Sequence, residues 1–253
     1  MTKFTIYANR MMEAGWIAAV ITTPLFFNVF SSRIFEPDKI TLLRSISLVV
    51  LVSWIIKAVE AFSDRKISLN VREIIRTPLM VPVIILLLNY LVSTLLSVAP
   101  LISLWGSYQR LQGTFTTYSY LVIFLSLVFN RPSEEQVRRL VTTMIAVSLP
   151  VAVYGMLQRY KIDPIPWGGD VSVRIASTMG NSIFVAAYLI MVFPLTLGRA
   201  FEGFRRMLKS ETFEIKDFLL ATAYVFIGLL QVIALYFSGS RGPALGWLAS
   251  LFF

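Results

Sequence analysis

The stretch Arg174-Ile-Ala-Ser-Thr-Met-Gly180-Asn181-Ser-Ile-Phe-Val-Ala-Ala-Tyr188-Leu-Ile-Met-Val-Phe-Pro194 decides how the rest of the chain is read. An arginine stands just before a Ser/Thr/Gly/Asn turn. The turn runs into an apolar segment with small residues near its start and a proline near its end, and no residue from 175 to 198 carries a charge. A segment of about 20 apolar residues is what the hydrocarbon core of a bilayer requires of a helix. A fixed cation is therefore held where a polar turn meets a membrane helix.

The same apolar pattern recurs on both sides. Candidate spans cover residues 14–30, 40–62, 79–98, 114–129 (short), 140–157, 181–197 and 218–237, and another begins at 244. Arg44 and Lys57 lie near the ends of the second span, where long side chains reach toward the interface. Pro82, Pro150 and Pro194 fall inside spans and are tolerated where neighbouring helices satisfy the freed carbonyls. The expected fold class is all-α: a polytopic transmembrane helix bundle of about seven complete spans plus a truncated eighth, forming one transmembrane domain over 1–253. The run from Ala244 to Phe253 stops among apolar residues with no flanking charge, which reads as the N-terminal part of a longer protein.

Composition sets bounds on function. Of 253 residues, 57% are hydrophobic and 15% charged, against about 25% charged in soluble domains. The net charge of +9 comes from basic residues spread over many short loops. That is a positive-inside pattern rather than a nucleic-acid face, so nucleic acid is not an expected partner. With no Cys and no His, the chain offers no thiol chemistry, no Cys/His metal site and no histidine base; no metal and no cofactor are expected. The first apolar run lacks a cleavage site and is not a signal peptide. Basic residues such as Arg65, Lys66, Arg72, Arg76, Arg131, Arg138 and Arg139 are concentrated on alternate loops, which puts the N-terminus in the cytoplasm. Ser133 is a candidate N-cap followed by acids. Residues 198–217 read either as an amphipathic helix on the inner leaflet, through Phe201, Phe204 and Leu208, or as a solvated linker.

The outer turns have a different character. Trp105-Gly106-Ser-Tyr108-Gln109-Arg110-Leu-Gln-Gly113 holds Arg110, the next outer loop leads to Arg174, and Ser238-Gly239-Ser240-Arg241-Gly242-Pro243 holds Arg241. A guanidinium presents a planar fork matched to phosphate oxygens, and Gly and Ser let backbone N–H groups approach the same anion. The Ser240–Pro243 turn opens the last span, whose N-terminal dipole adds to the effect. Arg174, Arg241 and Arg110, with Gly180, Asn181 and Ser240, are the candidate substrate-binding residues. The plainer reading has arginines reaching lipid headgroups, and Trp105, Tyr108, Tyr160 and Trp167 forming an aromatic belt. Arg159 has Lys161 and Asp163 beside it, so a local ion pair accounts for it equally well. Asp163 and Asp170, in the loop before Arg174, offer a base or an acceptor-orienting group, but a proline-rich loop explains them as easily. The catalytic residue stays unassigned.

Taken in order, Ser97-Val-Ala-Pro100, Trp105-Gly106 through Arg110 to Gly113, Arg174 with Ser177-Thr-Met-Gly180-Asn181 and Ala187-Tyr-Leu, and Ser238-Gly-Ser-Arg241-Gly242 resemble the O-antigen ligase and polymerase superfamily of bacterial envelope glycan assembly, from about residue 79 onward. The resemblance implies an inner-membrane inverting glycosyltransferase that uses no metal. Such an enzyme takes a glycan from an undecaprenyl diphosphate carrier on the periplasmic face and passes it to a hydroxyl of an acceptor glycan, lipid or protein. It implies that Arg174 and Arg241, and less closely Arg110, bind the donor diphosphate. The family's histidine base lies in a later periplasmic loop, and this chain has no histidine.

Two other classes fit the residues: an anion or lipid transporter, which the scarcity of ionisable residues at span centres disfavours, and a non-catalytic membrane scaffold. The orientation is testable directly. In spheroplasts, Ser107→Cys and Ser172→Cys should react with an impermeant thiol reagent and Ser133→Cys should not; labelling of Ser133→Cys alone inverts the topology.

Overall fold

A computed structural model describes residues 3–63, 75–165, 170–209 and 214–250. The described residues are mostly helical and contain no strand. In chain order the helices are α1 (Lys3–Leu25), α2 (Pro37–Ser63), α3 (Met80–Leu95), α4 (Pro100–Trp105), α5 (Thr114–Asn130), α6 (Glu134–Arg159), α7 (Ser182–Lys209), α8 (Ile215–Ser238) and α9 (Arg241–Ser250), with a 3-10 turn at Ser177–Met179 before α7. The chain packs as two compact units, Met1–Thr23 with Asn28–Val137 and Pro24–Phe27 with Arg138–Phe253.

Among the described residues, four helices are long and apolar enough to cross a membrane: Pro37–Phe62, Glu134–Arg159, Ser182–Lys209 and Ile215–Ser238. The expected seven to eight spans are thus seen in part, and helix lengths give the reason. α3 and α5 have 16 and 17 residues, or about 24 and 26 Å at 1.5 Å per residue, short of the roughly 30 Å hydrocarbon core. α1 begins at Lys3 and ends at Leu25, so its first turns hold Lys3, Asn9, Arg10 and Glu13, and it leaves out residues 26–30, which were expected to complete the span. In contrast, α7 continues through Gly198 to Lys209, past the expected end at 197. The Ser133 cap forms as expected: its Oγ accepts from the Gln136 amide at 3.3 Å, and Gln136 Oε1 accepts from the Ser133 amide at 2.9 Å. This reciprocal pair is a capping box.

In the first unit, polar contacts fix helix direction. Arg44 near the start of α2 bonds Thr116 near the start of α5, and Lys57 toward the end of α2 bonds Asn130 at the end of α5. The two helices therefore run parallel. α1 runs against them, with Thr5 bonded to Glu60 and Trp16 Nε1 donating to Ser126 Oγ at 2.8 Å. Arg44 corrects the expectation of an arginine reaching the interface. It is 7% exposed; its Nε donates to Thr116 Oγ1 at 2.9 Å and its Nη2 to the carbonyls of Trp105 and Leu111, each at 2.7 Å. The guanidinium also lies 4.9 Å from the Phe115 ring centre and 5.8 Å from that of Trp105. A buried charge persists only when paired or fully hydrogen-bonded, and here the loop after α4 closes around it. Gly106 has φ 86°, and a Cβ there would stand 2.4 Å from the Gln112 amide nitrogen, so this crossing of the loop takes only glycine.

In the second unit, α7 and α8 pack antiparallel through small residues. A Cβ on Gly203 would lie 2.9 Å from that of Ala221, and Gly228 faces Phe193 and Thr196, the close approach that membrane helix pairs use. Val151, Ala152, Ile175, Val185, Leu189 and Ala234 form the core. Gln231 joins three helices within it, its Nε2 donating to Ser148 Oγ at 2.6 Å and Thr196 Oγ1 at 3.0 Å.

Because Arg44 satisfies two partly buried carbonyls, Arg44→Met should lower unfolding stability in detergent by about 3 kcal/mol, using 1.5–3 kcal/mol for a charge-assisted hydrogen bond. Arg44→Lys should fall between, since it keeps the charge and loses the fork. Thermal unfolding checks both.

Candidate anion-binding turn

The candidate site is assembled at the end of the second unit where α6 finishes, α7 begins, α8 finishes and α9 begins. Ile175 is fully buried in the core, and its amide donates to the Phe237 carbonyl at 3.3 Å. That anchors the preceding residue, Arg174, against the last turn of α8. Arg174 Nε donates to the Ser238 carbonyl at 3.1 Å and Nη2 to Ser240 Oγ at 3.3 Å. A cation at a helix C-terminus is favoured by the macrodipole and satisfies an orphan carbonyl. Gly239 closes α8 with φ 59°, and a Cβ there would touch Arg174 Cγ and Nε at 3.4 Å. A left-handed glycine is the common helix end, and here it also gives the arginine room.

The segment after Arg174 is pinned more firmly still. Gln158, 1% exposed, accepts with Oε1 from the amides of Ala176 at 3.1 Å and Ser177 at 2.7 Å. Two donors on one oxygen settle the amide orientation, so Nε2 points the other way. It has no hydrogen-bond partner among the described residues. Ser177 adopts φ 48°, a region costly for a side-chain-bearing residue, and donates its hydroxyl to the Val151 carbonyl at 2.6 Å. Thr178 Oγ1 donates to the Pro24 carbonyl at 2.7 Å. The left-handed Gly180 (φ 71°) ends the 3-10 turn. Asn181 then caps α7: its Oδ1 accepts from the Ile183 amide at 2.8 Å and its carbonyl from Val185 at 3.1 Å.

The expected site residues therefore divide. Arg174, Ser240 and Arg241 share one turn: Ser240 is buried and bonds Arg174, and Arg241 is the first residue of α9. Arg241 is exposed, with no hydrogen bond or ion pair among the described residues. Gly180 and Asn181 shape the entrance to α7 at the same end, as cap residues. Arg110 lies in the first unit, with its Nε 3.8 Å from Glu36 Oε2; its sequence neighbours carry no acid, but the fold supplies one.

Sequence reasoning missed Gln158, a lone amide at the end of an apolar helix, and left Arg159 open between a local ion pair and a binding role. Among the described residues, Arg159 has no ion pair with Asp163. It donates to the Ser172 carbonyl and lies 5.4 Å from the Phe237 ring centre, tying the loop to α8. A hollow of about 220 Å³ beside the turn is lined by Gln158, Lys161, Asp163, Ile165, Asp170, Val171 and Ser172, neither arginine among them. The two carboxylates hold local turns. Asp163 accepts from Tyr154 Oη at 2.9 Å and the Ile165 amide at 3.0 Å. The Ser172 hydroxyl and amide donate to Asp170 and hold its carboxyl below its ordinary value, which makes it a weak base at neutral pH. Trp167 lies outside the described residues. Among the described residues, no group of His, Cys, Asp and Glu is placed to hold a metal ion.

No family model, curated protein or solved structure matches this chain.

If Gln158 Oε1 holds the turn, Gln158→Leu should orphan two amides at about 1–3 kcal/mol each and speed hydrogen exchange at Ala176 and Ser177 at least tenfold. Gln158→Glu, which keeps an acceptor there, should restore most of the protection.

Proposed function

We propose that the chain is the donor-binding part of an inner-membrane glycosyltransferase of the O-antigen ligase type, with its N-terminus in the cytoplasm and the Arg174–Arg241 turn on the periplasmic face. The reaction passes a glycan from undecaprenyl diphosphate to an acceptor hydroxyl. The observation that carries this reading is the bond from Arg174 to Ser240, which puts one arginine on the turn that presents the other. Of the five N–H donors of a guanidinium, Arg174 uses two on Ser238 and Ser240, leaving three for a phosphate. Arg241 adds a second cation at the N-terminus of α9, where amides and dipole favour an anion.

Cleaving the bond from sugar to diphosphate leaves negative charge on the departing phosphate oxygen. Arginines already held in place stabilise that charge without reorganising, and their effect grows where the membrane lowers the dielectric. Holding Arg174 by its own Nε and Nη2 is such a preorganisation. Arg110, paired with Glu36, is not needed by this reading.

Binding of an undecaprenyl-diphosphate-linked glycan to the purified full-length protein tests it. At about 1.5–3 kcal/mol per charge-assisted contact, Arg174→Lys and Arg241→Gln should each weaken affinity roughly ten- to a hundredfold. Unchanged affinity in both variants rules the reading out.

A further inference from the structure

The opposite end of α7 and α8 carries a second cationic feature that the proposed reaction does not use. α7 has 28 residues, about 42 Å of helix, against a hydrocarbon core of about 30 Å, so its last turns project to headgroup depth. There Phe201, Phe204 and Leu208 recur at helical spacing and are exposed, Phe201 at 70% and Leu208 at 88%. Beside this stripe, Glu202, Arg205, Arg206 and Lys209 line a hollow of about 540 Å³ together with Asp217 from the first turn of α8.

The charges there do not cancel. Glu202 is occupied by Arg199 at 3.1 Å and Arg206 at 3.3 Å. Arg199 is held further by the Arg138 carbonyl at 3.3 Å. Asp217 stands at the N-terminus of α8, where the helix dipole favours it. Arg205 and Lys209 have no ion pair among the described residues. An anion in the hollow would meet these two cations and the outer edge of Arg206.

We propose that this hollow binds the headgroup of one anionic phospholipid, with its acyl chains lying along Phe201, Phe204 and Leu208. A soluble anion answers only the cationic half of the surface. A zwitterionic lipid brings its own ammonium group to an already cationic wall. An anionic lipid matches both stripes at the depth where the helix presents them. The orientation read from loop charge puts this end at the cytoplasmic leaflet. The site does not depend on the glycosyltransferase reading and lies at the far end of α7 from Arg174.

Native mass spectrometry of the purified chain, titrated with phosphatidylglycerol or phosphatidylcholine in detergent, tests the proposal. One phosphatidylglycerol should be retained at about a tenth of the concentration needed for phosphatidylcholine. The triple variant Arg205→Gln, Arg206→Gln, Lys209→Gln should lose that preference with its helical circular dichroism intact. If the triple variant fails to fold, Lys209→Gln alone should weaken phosphatidylglycerol retention about fivefold, from about 1 kcal/mol per basic residue near the surface. Equal retention of the two lipids, an unchanged preference in the variants, or displacement by millimolar inorganic phosphate would each overturn it.

Discussion

The carbonyl of Ser238, at the end of α8, needs a donor, and Arg174 supplies it. Backbone groups at membrane depth or at its edge find little water, so each helix end must be answered by protein. Much of the second unit follows from this contact. Ile175 enters the core because Arg174 turns toward α8; Gln158 collects the next two amides; Ser177 is held in a strained conformation by two hydrogen bonds, through its amide and its hydroxyl. Gly180 and Asn181 then set the start of α7. The same turn that ends one helix thus begins another, with the cation left at the surface between them.

Arg44 shows the opposite use of the same side chain. Its fork is spent on Thr116, Trp105 and Leu111, and two aromatic rings cover its faces. Three of its five N–H donors are used and the side chain is buried, and the result is a closed loop after α4. Arg174 spends part of its fork on the helix end and remains exposed. Whether an arginine at a membrane boundary is structural or available depends on how many of its donors the fold consumes, and sequence position does not reveal that number.

What was legible in the sequence was local. The Ser133 cap and the apolar cores of α6 and α8 depend on residues within a few positions of each other, and they form where they were read; α7 contains its expected span but runs on to Lys209. The number of crossing helices was less legible, because hydropathy does not say where a helix starts. α1 takes in the polar residues before position 14, and α3 stops at Leu95. Long-range polar contacts were not legible. Arg44 finds partners 61 to 72 residues away, and Arg110 meets Glu36 from across the first unit. Of the candidate site, Arg174 and Arg241 stood out in the sequence as arginines on Gly/Ser-bearing turns, but the bond from Arg174 to Ser240 that brings their turns together did not. The amide of Gln158 that holds it had no pattern to announce it.

The central claim is that Arg174 and Arg241 act on one diphosphate. The most direct measurement is the structure of the full-length protein in lipid nanodiscs with undecaprenyl diphosphate bound. The account predicts phosphate density within hydrogen-bonding reach of both guanidinium groups, with the Arg174 bond to Ser238 retained. Density at another surface, with both arginines turned to lipid headgroups, would contradict it.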